Sequence, residues 1–517
     1  MRVLSGAQMQ ALDRLAAERY GVIGIALMEA AGLRLADGVR ALSPHGPILI
    51  ACGPGNNGGD GFVAARHLSA AGYELDVWLA APIERLRGDA RTAFAAWRAI
   101  GGVRTLQGAD DVVAFARACA SSGLIVDSLL GTGVKGAARE PVAAAIVAIN
   151  RAARPVLAVD IPSGVDADTG AVLGPAVRAE GTLTFGAAKL GLLLRPGSEY
   201  AGRVEVAEIG LPAPLLQTAT MAAVGLVEAA RLLPRRRADG HKGTFGRLLL
   251  IGGAPGMSGA ITLSARAALR AGCGLASAAV PASIRGLVAG ALPECLTLAL
   301  PDDTKRAEAS AEERGAEADL AAALARADAL AIGPGLGVGR TAERRLAQVV
   351  DAYRGPAVVD ADALNLLAQR ADWRAGRLVR PNWVITPHPA EAARLLALTT
   401  AQVQADRPGA VRALAQRLGG VALLKGSPTL VAQGDRLWIN ASGNAGLGQG
   451  GSGDVLTGLI GSLLAQGAEW VDAAVLGAFW HGHAADRLAE RIGPAGFLAG
   501  GVADELPAAR RALERAQ

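Results

Sequence analysis

The stretch that decides the fold is Ile48-Leu49-Ile50-Ala51-Cys52-Gly53-Pro54-Gly55-Asn56-Asn57-Gly58-Gly59-Asp60-Gly61, in which an aliphatic run passes directly into a loop rich in glycine and asparagine. The pattern predicts a β-strand, a loop, and a helix that starts near Phe62. In an open α/β sheet, ligands bind at the carboxyl ends of the strands. The two Asn amides and the Asp offer oxygen ligands for a hard cation, and the glycines offer N–H groups for a phosphate. A helix-capping turn is the alternative interpretation.

Working outward from this stretch, short aliphatic runs alternate with polar loops and alanine-rich helical segments, which predicts a parallel α/β sheet. The first alternation has helices at 5–19 and 25–41 and strands at 47–52, 74–79, 123–127, 155–160 and 182–185. The second has strands at 247–251, 275–280, 328–332, 357–360, 383–386, 421–424, 429–432 and 436–440, with a helix from 258 and closing helices at 453–465 and 471–491. Residues 211–240 lack periodicity and are interpreted as a linker. We therefore predict two α/β domains, at residues 1–217 and 225–517.

The composition fits a globular protein with at least two cores, since 51% of the 517 residues are hydrophobic and 19% are charged. No apolar run reaches the roughly 18 residues that span a bilayer, and the first 15 residues do not resemble a signal peptide, so we expect a cytoplasmic protein without a membrane partner. The net charge of +5 comes from scattered arginines, which does not favour nucleic-acid binding. The four cysteines show no CxxC spacing and are expected to be buried, reduced thiols.

Only five of the 52 basic residues are lysine, namely Lys135, Lys189, Lys242, Lys305 and Lys425. A compact ammonium suits a tight phosphate or substrate pocket better than a planar guanidinium does. Two of these lysines lie in loops of the first half that also follow predicted strands. The loop after Asp127 contains Lys135, the loop after the next strand begins with Asp160, and a further loop contains Lys189. These loops are therefore expected at one edge of the sheet.

The motifs N-N-G-G-D-G (56–61), D-x-L-L-G-T-G (127–133) and V-D-I-P-S-G-V (159–165) resemble those of the NAD(P)H-hydrate epimerase family over most of residues 1–215. The resemblance implies a Rossmann-like domain that interconverts the two epimers of hydrated NADH and NADPH (NADHX and NADPHX) with a bound potassium ion. It also implies that the hydrate is contacted by Asn56, Asn57, Gly58, Gly59, Asp60, Gly131, Thr132, Gly133, Val134, Lys135, Gly136, Ala137 and Asp160. The potassium ligands that it implies are Asn57, Asp127 and Ser163.

Epimerisation at a carbon that carries a hydroxyl group and a ring nitrogen needs proton transfer and control of charge, without redox chemistry. Of the residues that the resemblance brings together, Asp160 is our predicted acid/base.

In the second half, Gly448-Gln449-Gly450-Gly451-Ser452-Gly453-Asp454-Val455-Leu456-Thr457-Gly458 leads glycines into an apolar helix through a single carboxylate. Converging N–H groups and the positive end of the helix predict a phosphate site, and Asp454 is the predicted base. The helix N-terminus is expected to lower the pKa of Asp454 and keep it ionised. An N-cap is the alternative role. The pair Asp360 and Asp362 fits either one strand face or a cap.

The motifs G-G-S-G-D-V-L-T-G (450–458), T-P-H-P-x-E (386–391) and K-G-x-x-T (425–429) together resemble the NAD(P)H-hydrate dehydratase family, over about residues 225–505. The resemblance implies a ribokinase-like domain that uses ADP to dehydrate the S-hydrate to NAD(P)H, with release of AMP and phosphate. It implies hydrate contacts from Ala260, Gly337, His388 and Asp454. The implied nucleotide contacts are Lys425, Gly426, Ser427, Pro428, Thr429 and Gly453. A Mg²⁺ ion bridging the nucleotide phosphates is expected for such a transfer.

The sequence thus predicts a bifunctional repair enzyme that acts on NADHX, NADPHX and ADP, forms a homo-oligomer, and has epimerase and dehydratase activities in succession. The alternative is a ribokinase-like kinase of a vitamin or sugar alcohol, with a non-catalytic binding module at the N-terminus.

Overall fold

The computed structural model describes residues 1–42, 44–133, 135–302 and 311–517, with the side chains of 311–313 left undescribed. The chain divides into two compact units, Met1–Ala222 and Ala223–Gln517. In the described ranges, no helix is both long enough and apolar enough to cross a membrane.

The first unit is built on a seven-stranded parallel sheet with the order β4-β3-β2-β5-β6-β7-β9. The strands of the first unit, including two that lie outside this sheet, are β1 (Arg2–Leu4), β2 (Ile48–Cys52), β3 (Leu75–Leu79), β4 (Arg104–Thr105), β5 (Leu124–Ser128), β6 (Val156–Val159), β7 (Gly181–Phe185), β8 (Ala188–Lys189) and β9 (Arg203–Ala207). Outside this sheet, β1 pairs with β8 and with the start of β10 (Met221–Val224). The predicted parallel α/β architecture is confirmed for this unit.

The helices of the first unit cover both faces of the sheet and bury separate apolar clusters on each side. They are α1 (Gly6–Tyr20), α2 (Gly24–Ala41), α3 (Asn56–Ala70), α4 (Gly88–Arg98), α5 (Ala109–Ser121), α6 (Val142–Arg151) and α7 (Ala213–Leu216). The predicted start of a helix at Phe62 was wrong, because α3 already begins at Asn56. A Cβ at Gly58 would lie 1.9 Å from the Gly53 carbonyl oxygen, so this glycine permits close packing of the helix on the chain leaving β2.

The strands of the second unit follow the order β13-β12-β11-β14-β15-β16-β17-β18-β19. They are parallel as far as β17 and antiparallel for β18 and β19. Their bounds are β11 (Arg247–Ile251), β12 (Leu275–Pro281), β13 (Leu296–Leu300), β14 (Ala329–Ile332), β15 (Ala357–Val359), β16 (Trp383–Ile385), β17 (Val421–Leu424), β18 (Leu430–Gln433) and β19 (Arg436–Asn440). Because β15 ends at Val359, Asp360 and Asp362 do not share a strand face, and Asp360 takes the N-cap position of the following helix.

The helices of the second unit are α8 (Leu226–Arg231), α9 (Ser258–Ala271), α10 (Ala282–Ala291), α11 (Ala311–Arg326), α12 (Arg340–Ala352), α13 (Ala361–Gln369), α14 (Ala371–Arg374), α15 (Pro389–Leu396), α16 (Thr400–Ala405), α17 (Arg407–Leu418), α18 (Ser452–Ala465), α19 (Trp470–Ile492) and α20 (Ala499–Arg515). The largest core joins α18, α19 and α20 to the sheet. A Cβ at Gly458 would lie 1.9 Å from the Ser264 carbonyl oxygen, so α9 and α18 pack with their backbones close together.

The predicted linker, 211–240, contains α7, β10 and α8, and the boundary between the two units falls inside it. One prediction about the organisation of the chain needs correction. The helix at 470–492 does not close the chain, because α20 follows it and packs against both α9 and α19. The four cysteines are buried and free, as expected.

Candidate functional sites

A cleft of about 530 Å³ lies in the first unit at the carboxyl ends of the parallel strands. The loop after β2, the loop after β5 and the residue after β6 all reach it, and α1 and α2 cover it from the other side. The predicted residues that line it are Asn56, Asn57, Asp60, Gly131, Thr132, Gly133 and Asp160. The edge of the sheet that the sequence singled out is therefore where the cleft is found.

Asp160 forms an ion pair with Lys189 at the floor of this cleft. Its Oδ1 also accepts hydrogen bonds from the Thr184 hydroxyl (3.0 Å) and the Phe185 amide (3.2 Å). Lys189 is 1% exposed and donates further hydrogen bonds to Thr184 Oγ1 and the Phe185 carbonyl oxygen. Asp160 has a φ of +64°, a left-handed conformation that costs a non-glycine residue about 1–2 kcal/mol. The surrounding contacts hold it in this conformation.

Two further carboxyl groups, those of Asp60 and Asp13, line the cleft. Burial, together with the nearby charge of Asp160, raises the pKa of Asp60 well above its usual range. Burial also raises the pKa of Asp13, while the Lys189 ammonium opposes the rise. The first unit therefore gathers three carboxyl groups around one buried lysine. Both pKa values rise because burial leaves the charged forms poorly solvated.

A separate oxygen-rich cluster lies beside the cleft, around Asp127 at the end of β5. Asp127 is buried and accepts hydrogen bonds from the Ser163 hydroxyl (2.6 Å) and the Ser163 amide (2.8 Å). Asn57 Nδ2 donates to the Leu130 carbonyl oxygen (2.9 Å), and the Leu130 amide donates to Ser163 Oγ (2.9 Å). Burial raises the pKa of Asp127 to about 6. The structure thus brings together the three predicted potassium ligands, all of which carry oxygen.

The predicted substrate loop 131–137 divides between two places. Gly131, Thr132 and Gly133 line the cleft, whereas Lys135 is exposed and donates to Asp168 Oδ2 (2.7 Å). Gly136 and Ala137 lie outside the cleft lining, and Val134 falls outside the described residues. Gly58 and Gly59 are buried within α3 and do not line the cleft either.

The candidate site of the second unit is a cluster of charged side chains around Asp360. Lys425 Nζ donates to Asp360 Oδ1 (2.7 Å), and the Thr457 hydroxyl donates to Asp360 Oδ2 (2.6 Å). A Cβ on Gly453 would lie 3.4 Å from Lys425 Nζ and 3.6 Å from Asp360 Oδ2. The glycine at the start of α18 therefore faces this ion pair.

Asp454 lies in the first turn of α18, next to this pair. The expectation that its pKa would be lowered was wrong. Burial and the charge of Asp360 raise the pKa of Asp454 to about 6, although Lys425 opposes the rise. Loss of solvation and a like charge outweigh the helix N-terminus, so Asp454 is a stronger base than an ordinary aspartate.

Glu391 and His388 extend the cluster on the other side of Lys425. Glu391 Oε2 lies 3.8 Å from Lys425 Nζ, and burial raises the pKa of Glu391 to about 7. The same oxygen accepts from the His388 amide (2.8 Å), and His388 Nε2 lies 3.2 Å from Glu391 Oε1. His388 also caps α15 through Nδ1, and burial lowers its pKa. A neutral imidazole that accepts at Nδ1 and donates at Nε2 satisfies both contacts.

The predicted nucleotide loop 425–429 is supported from behind by Arg407. The guanidinium of Arg407 donates to the carbonyl oxygens of Pro428 (2.8 Å) and Lys425 (3.4 Å). A Cβ on Gly426 would lie 2.7 Å from both terminal nitrogens of Arg407, and its φ is +141°. Only glycine fits this position without displacing the loop.

The remaining predicted hydrate contacts, Ala260 and Gly337, connect to the cluster indirectly. The Gly337 amide donates to Asp362 Oδ2 (2.9 Å), and the charge of Asp362 acts on Asp454. Ala260 lies in the first turn of α9, where a Cβ on Gly335 would lie 3.1 Å from the Ala260 Cβ.

Sequence reasoning missed several members of both sites. Asp13 lies on a helix without any motif, and no sequence signal marked it. Asp360, Glu391 and Thr457 lie inside or beside the sequence motifs, but no catalytic or binding role was predicted for them. In each case the missing information was which distant parts of the chain meet in the fold.

The sheets and the two charged clusters define a two-domain α/β enzyme that combines a Rossmann-like first domain with a ribokinase-like second domain. A family model described as YjeF-related protein N-terminus matches residues 24–191, and one described as NAD(P)H-hydrate dehydratase matches residues 248–508. The chain belongs to the family of bifunctional NAD(P)H-hydrate repair enzymes.

Individual proteins of this family match both halves of the chain. The bifunctional NAD(P)H-hydrate repair enzyme Nnr of Moorella thermoacetica is 44% identical, covering 99% of this chain and 97% of its own length. The enzyme of the same name from Escherichia coli K12 is 40% identical, covering 94% of this chain and 90% of its own. A crystal structure of a ribokinase-like superfamily protein from Enterococcus faecalis covers 57% of this chain and 96% of its own, with 26% identity and a TM-score of 0.50.

Proposed function

We propose that the first unit interconverts the R and S hydrates of NADH and NADPH, and that the second dehydrates the S-hydrate with ADP, releasing AMP and phosphate. The epimerase domain is assigned to 1–217 and the dehydratase domain to 225–517. The proposal rests on the position of Asp454 beside the Lys425–Asp360 pair and on its raised pKa. Such a group is suited to accept the proton of a substrate hydroxyl.

In the second unit, the hydroxyl oxygen of the hydrate would attack the terminal phosphoryl group of ADP while its proton passes to Asp454, and AMP leaves. The phosphate ester then leaves as phosphate, because the lone pair of the ring nitrogen assists cleavage of the carbon–oxygen bond. Loss of a proton from the neighbouring carbon completes the double bond. Phosphorylation matters because hydroxide alone is a poor leaving group.

The roles of individual residues follow from their positions. We assign Lys425, Gly426, Ser427, Pro428, Thr429 and Gly453 to the adenine nucleotide, and Ala260, Gly337, His388 and Asp454 to the hydrate. Lys425 supplies positive charge next to Gly453, where the transferred phosphoryl group would approach α18. A Mg²⁺ ion bound to the phosphates would neutralise their charge.

In the first unit, we assign Asn56 to Asp60, Gly131 to Ala137 and Asp160 to binding of the hydrate. The oxygen cluster of Asn57, Asp127 and Ser163 fits a potassium ion, since its donors are hard oxygens. In the part of the chain that the structure describes, no Lys or Arg forms an ion pair with the buried Asp127. A monovalent cation would supply the missing positive charge and fix the loop after β5.

The decisive experiment uses the purified chain with a mixture of R- and S-hydrates and either ADP or ATP, and follows the return of nicotinamide absorbance. Both activities predict full recovery of NADH. Recovery of the S-hydrate alone would remove the epimerase assignment. Phosphorylation of a stable vitamin or sugar alcohol without NADH recovery would favour the kinase alternative.

The remaining expectations concern the surroundings of the protein. A homo-oligomer, a cytoplasmic location, and the absence of nucleic-acid and membrane partners stay predictions. Light scattering of the purified chain tests the first of them.

A further inference from the structure

The contacts of Asp160 bear on whether it is the proton donor and acceptor of the first cleft. Its Oδ1 accepts hydrogen bonds from Thr184, Phe185 and Lys189 at once. These three protein donors occupy the lone pairs of this oxygen, so it has no free lone pair for a proton of the substrate. Lys189 is buried and has its own three acceptors. Asp160 is therefore tied to Lys189 through Oδ1 and is placed to orient and neutralise that lysine.

Asp60 is a poor candidate for a different reason. It is 9% exposed and lies in the second turn of α3, on the wall of the cleft. Burial raises the pKa of Asp60 well above its usual range. A closed-off carboxyl group can donate a hydrogen bond to a bound ligand, but it is slow to recover a proton from water.

Asp13 differs from both in being accessible from the cleft. Its side chain lines the cleft, and among the described residues it has no hydrogen-bond or ion-pair partner. Its helix, α1, is firmly anchored: Ser5 and Gln8 form a capping box, and the Gly6 amide donates to Asp168 Oδ1 (2.6 Å). Asp13 is thus a free carboxyl group on a fixed helix, on the wall of the same cleft as Asp60, Asp160 and Lys189.

We propose that Asp13 is the acid/base residue of epimerisation, in place of Asp160. The proposal rests on the epimerase function proposed above. The Asp13 carboxyl would give its proton to the hydroxyl oxygen of the hydrate as the carbon–oxygen bond breaks. The electron pair of that bond leaves with the oxygen as water, while the lone pair of the ring nitrogen forms a carbon–nitrogen double bond. Water then adds to the other face of the ring and returns a proton to Asp13, so atoms, protons and electrons balance.

The charges around Asp13 support this cycle. The carboxyl groups of Asp60 and Asp160 face it from α3 and from the end of β6, and Lys189 faces it from β8. Arg14 adjoins it on α1, and Arg85 and Asp89 line the cleft further out. Burial and Asp160 raise the pKa of Asp13, whereas Lys189 and Arg14 lower it, and the net change is upward. More of the acid form is therefore present near neutral pH than for an ordinary aspartate.

The test uses the full chain with separated R-hydrate and ADP, so that the second unit reports each S-hydrate formed. Asp13→Asn should lower kcat for recovery of the R-hydrate by about 100-fold or more, with little change in KM. Dehydration of pure S-hydrate is the internal control and should be unchanged. Glu18→Gln, an exposed change on the same helix, is the matched control and should leave both rates unchanged. Asp13→Glu should restore part of kcat and shift the pH profile of epimerisation.

The outcomes separate the proposal from the function on which it rests. Wild-type protein that fails to recover R-hydrate faster than buffer removes the epimerase function itself. Wild-type recovery together with normal kcat in Asp13→Asn overturns the role of Asp13. A rise in KM alone also overturns it, because that result describes a binding contact. If Asp13→Asn unfolds the first unit, an unshifted pH profile in Asp13→Glu overturns the proposal and a shifted one supports it.

Discussion

Lys425 and Asp360 form an ion pair of 2.7 Å that joins the end of β17 to the start of α13. The second oxygen of the same carboxylate accepts from Thr457, one turn beyond Asp454 on α18. One buried carboxylate thus fixes the lysine and the catalytic helix relative to each other. Its negative charge also raises the pKa of Asp454. Asp360 therefore both positions Lys425 against α18 and increases the basicity of Asp454.

Replacement of Asp454 by asparagine should abolish most of the dehydratase activity. A neutral amide cannot accept the proton of the hydrate hydroxyl, so kcat for the S-hydrate should fall by about 10² to 10⁴-fold. Binding of ADP, measured by calorimetry, should be retained. In the wild type, kcat/KM should rise with pH through about 6, because Asp454 must lose its proton before it can act as a base.

The exposed Asp504→Asn, on α20, is the control for loss of one carboxylate elsewhere in the second unit. Near-normal turnover in Asp454→Asn would show that the carboxylate acts only as a helix cap. A wild-type profile that is flat between pH 5 and 7 would contradict its role as the titrating base.

Replacement of Asp360 by asparagine should move the acid limb of the dehydratase profile to lower pH. Burial is the main reason that the pKa of Asp454 is raised, and the charge of Asp360 is the next. Removal of that charge lowers the pKa, so Asp454 ionises at lower pH. We also expect kcat to fall by about tenfold or more, since Lys425 loses a charged partner. The measurement is kcat/KM for S-hydrate from pH 5 to 8.

A shift of the acid limb to higher pH in Asp360→Asn would contradict this account. An unchanged limb would show that burial alone sets the pKa of Asp454.

The alternation of strands and helices could be predicted because strands of a parallel sheet are buried on both faces and appear as continuous aliphatic runs. The cleft of the first unit could be placed for the same reason, since ligands bind beyond the carboxyl ends of such strands. Asn57 and Ser163 follow β2 and β6, Asp127 lies at the end of β5, and the three come close together in the fold. The parallel topology of the sheet is enough to predict that these three residues come together.

The rest depended on contacts between distant parts of the chain. The helix N-terminus before Asp454, which would lower its pKa, is visible in the sequence. The negative charge of Asp360, which raises that pKa, comes from the end of another strand. The early start of α3 at Asn56 runs against the low helix propensity of glycine. The close approach of Gly58 to the Gly53 carbonyl oxygen explains why glycine stands there, and no local pattern contains that contact.

Potassium should slow hydrogen exchange in the segment around Asp127. At ten times its dissociation constant, a bound ion would make local opening about tenfold rarer. Exchange of peptides covering 124–133, followed by mass spectrometry, should be slower in KCl than in tetramethylammonium chloride. Asp127→Asn should lose the difference, because the neutral amide no longer supplies the charged ligand. Equal exchange in both salts for the wild type would remove the potassium site.

Replacement of Gly426 by alanine should weaken nucleotide use without affecting the hydrate. The new Cβ would lie 2.7 Å from two nitrogens of Arg407, at a φ of +141°, so the loop 425–429 must shift. Strain of this kind costs at least about 1.4 kcal/mol, and KM for ADP should rise about tenfold or more. Gly434→Ala is the matched control, because Gly434 also has a positive φ but no atom within 4 Å of a new Cβ. That variant should lose about 1 kcal/mol of stability and keep its KM. Equal KM values for ADP in the two variants would show that the loop backed by Arg407 does not bind the nucleotide.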